Sequence, residues 1–228
     1  METETKLLRT DVYDQLKERL FTGQLRTGQF VSQRELAVLL GATINPVREA
    51  IRKLEAEGLI NVYAQKGIQV IEGGPKAIHD AYDYRQLLEK NAIQHFTKAA
   101  SEKAIDDLVA KVEATLGLLE KNPTNVAVRL KVLDQDYRFH KELVDFQDNA
   151  IISKHNSLNA ARLRLFRINT GQPLQRLDSA AEEHLELLQA CRRRDNQTAE
   201  TLLERHIEIS REHALGIRPM RPLGEASS

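Results

Sequence analysis

Cysteine occurs once in this 228-residue chain, at Cys191, so no internal disulfide can form and a reducing, cytoplasmic setting is expected. Apolar residues never run unbroken for the roughly eighteen positions that a membrane-spanning helix needs. The opening Met-Glu-Thr-Glu-Thr-Lys lacks the basic-then-apolar pattern of a secretory signal. Neither sign of charge is in surplus, with 33 basic and 33 acidic side chains overall. Residues 1–72 are balanced too, with ten of each. Binding to phosphates by bulk positive charge is therefore excluded; any such binding must come from local placement of a few cations and from two copies acting together. Proline is scarce as well. Only Pro123 interrupts the stretch between Pro75 and Pro173, which leaves that stretch free to be helical. No internal repeat is visible.

The most informative segment is residues 32–60, two short amphipathic helices joined at a glycine. Ser32 followed by Glu35 is a capping box, which starts a helix. Leu36, Leu39 and Leu40 supply its apolar stripe. Gly41 stands where a left-handed residue ends a helix at low cost. Asn45 is placed to cap a second helix with Pro46 at its first position. Val47, Ala50, Ile51 and Leu54 line one face of that helix, Gly58 stops it, and Arg48, Arg52 and Lys53 occupy the other face. This is the layout of a helix-turn-helix, whose second helix enters the major groove of DNA.

Strand-like alternation follows. Ile60–Tyr63 and Ile68–Ile71 flank a turn at 64–67, which predicts a hairpin with Gly67 in need of positive φ. Val12, Leu16, Leu20 and Phe21 mark an earlier helix that ends near Gly23. Together these elements make a winged helix-turn-helix over residues 1–72. Gly73-Gly74-Pro75 reads as a linker. Beyond it, six helices are expected at 76–99, 101–121, 125–146, 148–169, 174–194 and 196–215, each with an apolar stripe. The fold class is thus mainly α: a winged helix with a small hairpin wing, then an antiparallel bundle of about six helices over 76–217. The tail 218–228 is rich in Pro, Gly and Ser and is expected to be disordered. Arg192-Arg193-Arg194 closes a helix, where cations favour the dipole, and reads as a solvated terminus.

In the bundle, Asp136 and His140 sit four residues apart on one helix and so share a face. His184 and His206 fall on the next-to-last and last helices. One carboxylate and three imidazoles from three helices can surround a divalent metal, although Asp-x-x-x-His alone is a common spacing. An enzyme is not expected. His79-Asp80 is the dipeptide of metal-dependent phosphohydrolases, but those need an earlier histidine, and His79 is the first one here.

Residues 10–71 resemble the DNA-binding domain of the GntR family of bacterial transcription regulators. The resemblance rests on Val12–Leu16, Gly23-Gln24-Leu25 with Gly28, Arg34-Glu35-Leu36-Ala37, Pro46–Ala50 and Leu54–Leu59. It implies DNA contacts at Arg34 and Arg48, with Gly67 at the tip of a wing in the minor groove. Thr43, Asn45, Arg52 and Lys66 complete the candidate interface. One departure is Ile44, where the family usually has arginine, so Asn45 is the candidate to read a base edge instead.

Residues 77–215 resemble the FCD ligand-binding domain of the FadR subfamily. The match is carried by Asp136–His140 with Asn149, by Glu183-His184 leading to Asp195, and by His206. That resemblance implies that Asp136, His140, His184 and His206 hold a divalent metal, zinc first, with nickel or manganese as the other options. Open positions on such an ion suit a small carboxylate or hydroxy acid as effector; the family often has an arginine at the place of Arg85, and Asn159 and Arg162 are further candidate partners. The expected protein is a homodimeric repressor on a palindromic DNA operator, released or recruited by an organic acid. The other reading is the same regulator with a metal-free bundle, sensing an apolar ligand or serving only for dimerisation.

Overall fold

The computed structural model describes residues 2–169 and 176–217, with side chains described over 12–168 and 176–217. The expected disordered tail therefore lies outside the described residues. The order is α1 (Glu2–Phe21), β1 (Phe30–Val31), α2 (Gln33–Leu40), α3 (Ile44–Ala56), β2 (Ile60–Tyr63), β3 (Gly67–Val70), then α4 (Pro75–Ala99), α5 (Glu102–Lys121), α6 (Val126–Asp145), α7 (Ala150–Asn169), α8 (Leu177–Arg192) and α9 (Asn196–Ala214). Among the described residues, no helix is long and apolar enough to cross a membrane.

The chain divides into two compact units, Met1–Ile78 with Ala161–Gly171, and His79–Ala160 with Gln172–Ser228. The first is the winged helix. Its α2 begins with the expected capping box: the Ser32 hydroxyl accepts from Glu35 N at 3.2 Å, and Glu35 accepts from Ser32 N at 2.7 Å. Leu36 and Leu40 are buried, but Leu39 is 42% exposed, so the apolar stripe of α2 is narrower than the spacing suggests. Thr43, not Asn45, is the N-cap of α3. Its backbone is extended (φ −75°, ψ 162°), which places Asn45 and Pro46 inside the first turn. Proline is tolerated there because the first-turn amides have no partner within the helix.

A Schellman arrangement ends α3, with Gly58 N donating to Glu55 O and Leu59 N to Leu54 O, both at 2.9 Å. It requires positive φ at Gly58 (+68°), and the Arg162 guanidinium occupies the space that a Cβ there would need. The wing pairs β2 with β3, Ile60 opposite Val70 and Tyr63 opposite Gly67. Gly67 has the expected positive φ (+99°), yet it is the first residue of β3 and the turn is Ala64–Lys66. A Cβ at Gly67 would meet Val31 O at 3.0 Å, because the short strand β1 also pairs with β3. That third strand lies beyond sequence reasoning; two residues are too few to show alternation.

One core joins Leu16 and Leu20 of α1, Leu36, Val47 and Leu54 of the helix-turn-helix, Ile68 of the wing and Leu165 of α7. A linear division at 73–75 would assign residues 161–171 to the bundle; their packing groups them with the winged helix instead. The second unit is a bundle of helices close to the expected boundaries. In it α8 packs on α5, α6 and α9. Asn149 and Asp195 act as caps. Asn149 accepts from Ile151 N and Ile152 N at the start of α7, and Asp195 accepts from Thr198 N at the start of α9. Two of the three arginines closing α8 are engaged rather than merely solvated. Arg192 pairs with Asp106, and Arg194, at φ +58°, donates to Thr97 O at 2.8 Å.

Candidate metal centre

Asp136 and His140 lie one turn apart on α6 and are both buried. His184 of α8 and His206 of α9 are also buried, and one ligand atom from each of the four falls within 4.8 Å of all the others. His184 Nε2 is 3.1 Å from His140 Nε2 and 3.3 Å from His206 Nε2. Asp136 Oδ1 lies 3.7 Å from His184 Nε2 and 4.0 Å from His140 Nε2.

The surroundings decide how these rings are protonated. His140 Nδ1 is 2.8 Å from Glu89 Oε2, and the other oxygen of Glu89 accepts from Arg85 Nε at 2.8 Å. His206 Nδ1 is 2.7 Å from Glu183 Oε2, and Glu183 is paired with Arg176, which also donates to Ser210 Oγ at 3.1 Å. Burial pulls the Arg85 pKa down, but Glu89, Tyr82 and Asp136 raise it above its usual value, so Arg85 stays charged. Burial holds the Glu89 carboxyl above its ordinary value, against the opposing pull of Arg85. Next to that fixed cation we treat Glu89 as a carboxylate. A carboxylate only accepts, so Nδ1 of His140, and likewise of His206, must carry the proton. Their Nε2 lone pairs then point into the cluster.

Burial, followed by the neighbouring imidazoles, holds His184 well below the ordinary histidine value, and burial followed by His140 and Arg176 does the same for His206. His184 Nε2 faces the Nε2 atoms of His140 and His206 at 3.1 and 3.3 Å, beside the Asp136 carboxylate. A cation at the centre would satisfy these groups together. Nitrogen atoms about 2.1 Å from one ion stand about 3.0 Å apart at right angles and about 3.4 Å apart at the tetrahedral angle. The two His–His separations match that range, and the Asp136 oxygen sits more loosely. Three imidazoles and one carboxylate suit zinc, nickel or manganese. Carboxylates on the outer ring nitrogens, as Glu89 and Glu183 provide, are the usual support for such ligands.

The lowered pKa values give a pH dependence for the metal-free protein. Unfolded imidazoles titrate near 6.5, whereas folded His184 and His206 titrate well below it. Below pH 6.5 the unfolded state takes up protons that the fold refuses, so stability is full above that pH and drains as pH falls. Thermal midpoints of chelated protein from about pH 8 to about pH 5 should decline below about 6.5. A midpoint flat across that range would contradict neutral buried rings.

The remaining expected residues are more scattered. Arg85 is 4% exposed and adjoins the cluster through Glu89. Asn159 is buried and gives its amide to Ala81 O at 2.8 Å. Arg162 belongs to the winged-helix unit, against Gly58, and Arg164 lies over the Phe21 ring at 4.6 Å. Sequence reasoning misses Arg176 and assigns Glu89 no part in the site. The i, i+4 spacing of Arg85 and Glu89 was the available signal, whereas nothing local points to Arg176. In the winged helix, Arg34, Thr43, Asn45, Arg48, Arg52 and Lys66 are all exposed. Residues 45, 48 and 52 share one face of α3, and Arg48 Nε donates to Gln33 Oε1 at 3.1 Å. The Thr43 side chain makes no capping bond.

An exposed recognition helix on a winged helix, together with a helical bundle that gathers buried metal-ligand side chains, defines a ligand-responsive DNA-binding regulator. Comparison with known proteins gives the family. Residues 8–70 match the bacterial regulatory proteins of the gntR family, and residues 80–209 match the FCD domain. The chain belongs to the GntR family of transcription regulators, in the branch that carries an FCD domain. Relatives include the Nta operon transcriptional regulator of Aminobacter aminovorans, 28% identical over 80% of this chain and 85% of its own length. The HTH-type transcriptional repressor RspR of Escherichia coli is 25% identical over 94% of this chain and 92% of its own. The solved structure of E. coli McbR/YncC shares the fold, with a TM-score of 0.72 at 19% identity, covering 92% of this chain and 97% of that one.

Proposed function

We propose that this regulator is a homodimeric repressor whose operator affinity is set by a small organic acid at a metal held by Asp136, His140, His184 and His206. The observation that carries this reading is the convergence of three imidazoles and a carboxylate, each buried, around one point. The metal supplies a Lewis-acidic centre with positions left for an anionic ligand. Glu89 and Glu183 orient the rings, and Arg85, held charged beside Glu89, adds positive potential for an acid. Metal ligands drawn from α6, α8 and α9 tie three helices to the occupancy of one site. An effector changes DNA binding to the extent that it binds two arrangements of those helices unequally. This is why a sensing role fits better than a catalytic one.

On the DNA side, Arg48 and Arg52 face outward from α3 with Asn45 between the cap and the groove-facing turn, and Lys66 stands in the wing turn. With no net positive charge in this half of the chain, two recognition helices on a palindromic operator supply the affinity. Arg48→Ala should weaken operator binding by roughly 1 to 3 kcal/mol if it reads a base, and lower the salt slope by about one if it contacts phosphate. Fluorescence anisotropy across a salt series separates these outcomes. Undiminished binding with an unchanged slope would remove Arg48 from the interface, and a footprint without two-fold symmetry would remove the dimer.

A further inference from the structure

A cavity of about 360 Å³ opens between α5, α6 and α8 and ends on Asp136 and His184. Its size lies within the usual range of roughly 300 to 1,000 Å³ for small-molecule sites. The buried walls are apolar: Leu108 and Val112 of α5, Val132 and Phe139 of α6, Leu177 and Ala181 of α8. Its charged residues are already matched. Lys111 is bound to Glu142 at 2.7 Å, and Arg138 to Asp134 at 2.8 Å, with both cations largely exposed. Thr115 donates to Gln135 at 3.0 Å. Neither Arg85 nor Asn159 is among the described residues lining it.

These features constrain the ligand. Its anionic end has one favourable place, the metal-ligand cluster at the inner end. The rest of it meets the apolar walls, with Thr115 and Gln135 bonded to each other, and among the described lining residues no unmatched cation awaits a second carboxylate. We propose that the effector is a monocarboxylate with an apolar body, aliphatic or aromatic, that enters between α5, α6 and α8 with its carboxylate toward Asp136 and His184. This rests on the metal-centred acid reading above and narrows it, setting polyhydroxy acids and polycarboxylates aside. The physical reason is that hydroxyls or a second charge against Leu108, Val132 and Leu177 would lose hydration without gaining partners, whereas each methylene placed there gains affinity by burial.

The test is isothermal titration of the full chain loaded with zinc, using acetate, butyrate, hexanoate and phenylacetate beside citrate and gluconate. Affinity should rise about fourfold per added methylene until the cavity is full, and hexanoate or phenylacetate should bind more tightly than citrate or gluconate. Ala181→Phe, which fills the cavity from α8, should erase the advantage of hexanoate over acetate while leaving acetate bound. The chain-length series on the unsubstituted protein decides the matter even if that variant fails to fold. Equal affinities from acetate to hexanoate, or tightest binding by citrate or gluconate, would overturn the apolar-body proposal and leave the metal-centred reading in place. Binding of none of these acids by zinc-loaded protein would overturn both.

Discussion

His184→Ala is expected to abolish the stabilisation of this protein by metal. His184 is the one ligand within 3.1 to 3.7 Å of each of the other three in turn, so its ring sits at the middle of the cluster. Removing it leaves two imidazoles and a carboxylate and takes away the ring nearest to all the others. Metal at about a hundred times its dissociation constant stabilises a folded site by about 2.7 kcal/mol. For a chain of this length that is a shift of roughly 5 to 11 °C in the thermal midpoint. The comparison that matters is the difference between zinc-loaded and chelated samples of each protein. It cancels the separate cost of the hole left when a ring stacked on Phe139 at 3.9 Å is lost. The unsubstituted protein should show the full shift and the variant none. Equal shifts in both would mean that zinc binds elsewhere and would sink the assignment of these four residues.

Leu165→Ala is expected to destabilise the winged helix although it lies on α7, far beyond the wing in the sequence. Leu165 is fully buried in the same core as Leu16, Leu20, Leu36 and Leu54. Truncating a leucine in such a setting costs about 2 to 5 kcal/mol, from lost transfer energy and the cavity left behind. Hydrogen exchange should report it as faster exchange of the core amides of α1 and α3. The four metal-ligand residues belong to the other unit, so zinc uptake should be unchanged. Unaltered exchange in α1 and α3 would show that the C-terminal turns of α7 are dispensable to the winged helix.

Where the chain's own chemistry is local, the sequence is legible. The capping box at Ser32 and Glu35, the stop at Gly58 and the positive φ at Gly67 each depend on contacts within a few residues. Each could be read from residue type and spacing. The shift of the α3 cap from Asn45 to Thr43 shows the limit of that reading. Both residues cap well, and an extended backbone at Thr43 decided between them. The aspartate and three histidines were identifiable through resemblance to a family, because spacing alone gives only the shared face of Asp136 and His140. Strand β1 was missed for want of length.

What the sequence determined by itself is therefore the helices and the hairpin, their order, and the residue types available for chemistry. Periodicity, caps and breakers act through neighbours along the chain, and they suffice for nine helices and a wing among the described residues. Tertiary structure alone decided which distant groups meet. It put Glu89 and Glu183 behind His140 and His206, which makes the rings present lone pairs. It turned Arg162 toward Gly58, and it placed Leu165 in the winged-helix core. It also matched the cations around the cavity to carboxylates and left its walls apolar. Those outcomes depend on packing between segments far apart in the chain, and no local pattern encodes which partner a buried side chain will find.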